Sequence, residues 1–505
     1  MVVRPGWACF SRSMPTQVVH PERKRLVFFF FLTLNLFYLL TSSGRVRTID
    51  EVTVDYQTES LAMRGSTAIP QALESKLFFG KLDLKGRPQA GYGVGQALFV
   101  VPWYEAARLL NAVLPGIPAG ARNIFFDAVI TASSATFAAI AATLLLLIFL
   151  RISLSNSVAV ASVAMVALAT PLFGYSAWFF SEPLASCLLL AAALLLFTGE
   201  KVPPTPGRAL LAGLLLGATL WVRPTHLIAM PVFLMAIIAA DRCTGWRTAL
   251  LAALVIGVLG GGLLVRNQML FGTPLDFGYP AAAEGGKQVL SFKTPLLQGL
   301  YGFLLSPGKS VFVFAPALLL AIAGIRKLAR RNLGLAIVAG GCPVIYLLFF
   351  SKYTQWEGGY CVGPRYLLPA IFLLCLGLGP MMEESGALVR KFALGLFVAG
   401  FSVQLISMAT SFLQDQAGGA YYDANWNHRM DYFPLVRQAQ RFWHYATSTQ
   451  PAPIGLGFDH WFVFLKKAGI SDTLLIGALL LELLGFIYCA YQLKKSLRAA
   501  NESVV

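Results

Sequence analysis

Apolar stretches of membrane-crossing length recur from one end of this chain to the other, and nothing else in it constrains the fold so strongly. They fall at 26-42, 123-150, 157-176, 179-198, 208-222, 225-241, 248-266, 309-325, 332-350, 365-383, 391-412 and 472-493. A helix needs roughly 20 such residues to cross a hydrocarbon core. In lipid only helices and closed barrels satisfy their own backbone groups, and these stretches are too long and too uniformly apolar for barrel strands. The sequence therefore predicts an all-α polytopic membrane protein with about 12 transmembrane helices. The composition agrees: 57% of the 505 residues are hydrophobic and only 13% charged, against about 25% charged in a soluble domain.

Charge sets the orientation. Arg23, Lys24 and Arg25 precede the first stretch, and basic loops stay in the cytoplasm. Counting from there places Arg151, Lys201, Arg208, Arg242, Arg247, Arg326, Lys327, Arg330, Arg331, Arg390 and Lys391 inside, together with Lys494, Lys495 and Arg498. Both termini are then cytoplasmic. Segment 94-112 carries Pro102, Glu105 and Arg108. Were it to cross, every later loop would change side, so it is expected on the membrane surface. The organisation read this way is a cytoplasmic N-terminus (1-25), a transmembrane core (26-412) that includes a long first extracytoplasmic loop (43-122), a second large extracytoplasmic loop (413-471), and a last span with a cytoplasmic tail (472-505). Shorter external segments fall at 267-308 and 351-364. The residues Thr41 to Gly44 make a poor cleavage site, so the first span reads as an uncleaved signal anchor. The net charge of +16 is scattered among loops and forms no stripe, which excludes nucleic acid as a partner.

Asp50 and Glu51 emerge just past the first span, with Asp55 close behind. A carboxylate at a membrane surface is placed to act as general base on a hydroxyl, and partial desolvation would draw its pKa upward. The plainer alternative is a solvated loop with a helix cap at Asp50. The glycines of GYGVGQ (Gly91 to Gln96) fit a tight entry into the surface helix better than a phosphate loop. Arg365, Lys309, Arg223 and Arg266 stand near external span ends, where a guanidinium or ammonium either grips a phosphate or snorkels to the head-group layer. Glu182, before Pro183, is either a second site carboxylate or an acid favoured by the helix dipole. Trp356 and Tyr360 serve as belt aromatics or as sugar-stacking surfaces. No Cys or His pair has metal-ligand spacing. No cofactor is required, although Asp50, Glu51 and Asp55 are compatible with a divalent metal.

Asp50-Glu51, Tyr56 and Ser60-Leu61-Ala62 follow one another in an order that resembles the first external loop of the glycosyltransferase C superfamily (GT-C), above all bacterial relatives of the protein O-mannosyltransferases and the lipid A aminoarabinose transferases. FSEPLA (180-185), FGTPLDFGY (271-279), LLSPGKSVF (304-312) and WEGGYCVGPRYLLP (356-369) are similar to stretches in the same group. The resemblance implies a GT-C fold whose first external loop carries surface helices. It also implies an inverting transfer from a polyprenyl-phosphate sugar, hexose or pentose, to an extracytoplasmic glycan, lipid or protein. Asp50, Glu51 and Asp55 would be the catalytic acids, with Asp50 or Asp55 as base. Arg365, Lys309, Arg223 and Arg266 would hold the donor phosphate, and Glu182, Tyr56, Trp356 and Tyr360 the acceptor or sugar. The place of action would be a bacterial inner or plasma membrane. The competing readings are a secondary transporter or flippase and an envelope scaffold. Transporters place charges at mid-membrane in paired halves, whereas here they gather at external span ends.

Overall fold

The computed structural model describes residues 21-76, 78-114, 117-198, 205-279, 291-359, 361-412, 433-448 and 457-502. Every one of the twelve expected stretches is helical in whole or in large part. Among the described residues, six helices are long and apolar enough to cross a membrane: Ala119–Arg151, Gly245–Phe271, Leu333–Lys352, Arg365–Glu383, Ala387–Ala409 and Asp472–Glu502. Others are shorter because the sequence interrupts them. The stretch 157-176 divides into Asn156–Leu168 and Pro171–Ser176. Thr170 caps the second piece through its side chain, and Pro171 stands in its first turn, the position that tolerates a missing N–H. The stretch 309-325 divides in the same way into Val311–Phe314 and Leu318–Arg331.

The first helix, Pro21–Leu40, packs against Asp472–Glu502 and Ala119–Arg151. Its Tyr38 is fully buried and donates to the carbonyl of Ala167 at 2.7 Å. One large apolar core runs through the bundle. A second, smaller one joins Val54, Ala97, Val100 and Tyr104 to Phe179, Leu184 and Val222. The second core fastens the loop that follows the first helix onto the bundle.

That loop is built from its own local signals. Thr48 accepts from the Glu51 amide, and Glu51 accepts from the Thr48 amide. This reciprocal capping box starts the helix Ile49–Arg64, and Gly65 ends it with φ 59°. An antiparallel pair, Gly80–Leu82 with Pro88–Ala90, follows. Asp83 organises its turn by accepting from the amides of Lys85 and Arg87. Helix Val94–Val113 then lies against Ile49–Arg64 and the helix Pro206–Val222.

Gly93 and Gly95 have a packing reason beyond the tight entry expected from sequence. A Cβ on Gly93 would sit 2.0 Å from the Trp221 carbonyl oxygen, and one on Gly95 would sit 2.6 Å from the Trp221 carbonyl carbon. The loop therefore docks backbone to backbone on the end of Pro206–Val222. Gly93→Ala is expected to destabilise the protein by about 1–3 kcal/mol, the usual cost of overpacking, read as a lowered midpoint in thermal unfolding of the detergent-solubilised protein.

Candidate active site

Asp50 lies in the first turn of Ile49–Arg64, where the helix dipole favours a carboxylate. Its Oδ2 accepts from Arg365 Nη1 at 2.7 Å, and its Oδ1 accepts from the Tyr92 hydroxyl at 2.5 Å. Arg365 comes from a single 3-10 turn, Arg365–Leu367, which follows Gly363 (φ 65°) and Pro364. Its Nε donates to Glu182 Oε1 at 2.8 Å. Arg223, at the C-cap of Pro206–Val222, donates from Nη1 to the same oxygen at 2.9 Å. Two carboxylates and two guanidiniums thus interlock, with no net formal charge. Arg365 and Glu182 are buried (4% and 2% exposed), while a quarter of the Asp50 side chain stays open. The Phe180 ring lies 4.0 Å from the Arg365 guanidinium carbon, in cation–π range.

A cavity of about 110 Å³ opens beside the quartet. Asp50 and Arg223 supply its charge, and Tyr92, Tyr279, Tyr353 and Tyr366 are among its aromatic walls. A smaller hollow that shares Asp50, Tyr92 and Arg223 with it is also lined by Phe180 and Arg365. Burial and the Asp50 charge push the Tyr92 hydroxyl well above the ordinary phenol range. Tyr92 therefore remains a donor to Asp50.

The stretches singled out in the sequence converge here: FSEPLA brings Phe180 and Glu182, FGTPLDFGY brings Tyr279, and the segment from Trp356 brings Arg365 and Tyr366. Other expected residues lie elsewhere. The Glu51 carboxylate is fully buried and taken up by the amides of Arg47, Thr48 and Phe179, so it fixes the helix start and ties it to the segment that precedes Glu182–Phe197. Tyr56 packs on Ile69, Ala72 and Ala90. Lys309 is buried, and its Nζ donates to the Cys361 carbonyl at 3.0 Å. Arg266 lies within a helix that continues to Phe271, not at its end. Trp356 is buried edge-on to Phe303, with centroids 5.4 Å apart; its ring is core and offers no stacking face. Tyr360 lies outside the described residues. Tyr92, Phe180, Tyr279, Tyr353 and Tyr366 were not expected individually, although all but Tyr353 fall in stretches already singled out in the sequence.

Asp55 faces away from the quartet toward Glu59 and Asp127. Burial, reinforced by Glu59, pushes its carboxyl up to about 7. Between the ordinary carboxylate value and about pH 7 the unfolded chain ionises at this position while the folded chain keeps its proton. Stability is therefore lost as pH rises through that window and stays lower above it. Asp55→Asn is expected to raise the unfolding midpoint by about 2–4 °C at pH 8, with the gain vanishing toward pH 4 in a pH series of melts.

Among the described residues no group of three or more His, Cys, Asp or Glu side chains is placed to hold a metal ion. The chain is similar to ArnT from Cupriavidus metallidurans. Against the apo crystal structure the TM-score is 0.49 at 13% identity, covering 94% of this chain and 76% of that one. Against ArnT bound to undecaprenyl phosphate it is 0.48 at 13% identity, covering 93% and 76%. Likeness at this level does not speak to activity. No family model and no curated protein matches the chain.

Proposed function

We propose that this protein is an integral membrane glycosyltransferase that moves a sugar from a polyprenyl-phosphate donor to an acceptor hydroxyl outside the cytoplasm. The observation that carries the proposal is the meeting of Asp50 with Arg365 and Arg223 around the smaller hollow, with Asp50 and Arg223 also lining the cavity, where the first loop docks on the bundle. General-base transfer needs a carboxylate beside the attacking hydroxyl, and the phosphate that leaves needs cations already in place.

In the resting arrangement Arg365 Nη1 is occupied by Asp50. A donor phosphate oxygen takes that position, and Asp50 turns to the acceptor. The acceptor oxygen attacks the anomeric carbon as the bond to the phosphate oxygen breaks, and the acceptor proton passes to Asp50. Arg365 and Arg223 neutralise the phosphate as it departs. A single displacement of this kind inverts the anomeric centre. Glu182 holds both guanidiniums in place, and the Tyr92 hydroxyl orients Asp50. The aromatic walls offer flat faces to a sugar ring.

Purified protein in lipid nanodiscs, given a labelled polyprenyl-phosphate sugar and a hydroxyl acceptor, is expected to release polyprenyl phosphate and label the acceptor with inverted configuration. If no donor is consumed across sugars and acceptors, and a solute instead moves across proteoliposomes, the transporter reading replaces this one.

A further inference from the structure

A second cavity, remote from Asp50, lies between the beginning of Pro21–Leu40 and the end of Arg122–Arg151. It measures about 350 Å³. Arg23 and Lys24 border it from the first helix and Arg151 from the second, over a floor of Val27, Leu147 and Leu150. The spacing explains the shape. Arg23 and Val27 are four residues apart, as are Leu147 and Arg151, so on each helix a cation stands directly above an apolar side chain.

We propose that this cleft holds the head group of an anionic phospholipid, with part of an acyl chain on its floor. Three cations from two helices converge on one hollow, and among the described residues no carboxylate lines it. The nearest acid in sequence, Glu22, does not line the hollow and lies 3.8 Å from Arg25. Cations that merely snorkel fan outward from separate helix ends. Here Arg151 also donates to the Thr198 carbonyl at 3.3 Å, which ties it to the neighbouring helix end. A soluble phosphate would gain nothing from Leu147 and Leu150, whereas an acyl chain gains by burial against them. Phe28, which also borders the cleft, is 55% exposed and offers the chain a way out to the bilayer. Basic pockets between helices at a membrane surface recognise anionic head groups in this manner. The inference stands on these residues alone and does not depend on the reading of the Asp50 site.

The test is native mass spectrometry of the full-length protein titrated with phosphatidylglycerol, and with phosphatidylcholine of the same chains. One saturable site preferring phosphatidylglycerol about tenfold or more is expected. The variant Arg23→Gln/Lys24→Gln/Arg151→Gln should weaken it by about tenfold or more. A matched variant, Arg25→Gln/Lys494→Gln/Lys495→Gln, removes equal charge at the same end of the bundle, since Tyr488 just before those lysines packs on Phe29; it should change affinity less than about threefold. Leu147→Trp, which fills the floor and keeps every charge, should also lose the site, so the result does not rest on one variant folding. Equal loss in the matched variant would mean diffuse surface charge and overturn the proposal. So would equal binding of the two lipids, or displacement by glycerol 3-phosphate at comparable concentration.

Discussion

Asp50→Asn is expected to lower donor-dependent sugar transfer by about 10²–10⁴-fold, the contribution of a positioned general base, while Asp55→Asn keeps the rate within about threefold of wild type. The two acids sit on one helix but in different surroundings. Asp50 opens onto the cavity, between the Tyr92 hydroxyl and Arg365. Asp55 lies among acids, and burial keeps its proton on up to about pH 7. Asparagine at position 50 still accepts from Tyr92, and Arg365 keeps Glu182, so the fold survives. The loss is expected in kcat, with the donor KM unchanged or lower, because Arg365 Nη1 no longer has a carboxylate competing with phosphate. Steady-state kinetics with both substrates varied measures this. Full activity in Asp50→Asn, or an equal loss in Asp55→Asn, would remove Asp50 from the chemistry.

The helices were legible because apolar run length depends on local sequence alone, and lipid demands helix wherever such a run crosses. The capping role of Glu51 was also written locally, since Thr48-x-x-Glu51 is a capping-box pattern. It was obscured by the neighbouring Asp50, which made the pair look like one catalytic unit. Arg266 looked terminal because hydropathy falls after it. The helix continues as far as Gly272, whose φ of 81° stops it. What sequence did not disclose is pairing over distance. Glu182 meets Arg223 and Arg365, 41 and 183 positions away, and no periodicity records that. Tyr92 was hidden for a related reason: its turn was explained by glycines, and its hydroxyl finds Asp50 only because Gly93 and Gly95 let the loop dock against Trp221.

Arg365 carries the second large effect. Its guanidinium bridges two carboxylates, Nε to Glu182 and Nη1 to Asp50, beneath the Phe180 ring. A lysine has one ammonium on a flexible stem and does not reproduce a planar fork. Arg365→Lys is therefore expected to keep the charge and most of the stability, yet lose about 10²–10³-fold in kcat/KM, the range for removing one preorganised donor from a developing anion. Arg365→Gln goes further. It leaves Glu182 dependent on Arg223 alone and strips Asp50 of its cation. Breaking a buried pair in this way costs about 3–5 kcal/mol, so the unfolding midpoint should fall as well as the rate. Product inhibition separates binding from stability. Polyprenyl phosphate should inhibit Arg365→Lys at least about tenfold less strongly than wild type if the guanidinium grips the phosphate. A variant with wild-type inhibition and kcat/KM within about twofold would confine Arg365 to holding the quartet together and would move the phosphate site elsewhere, with Lys309 the next residue to test.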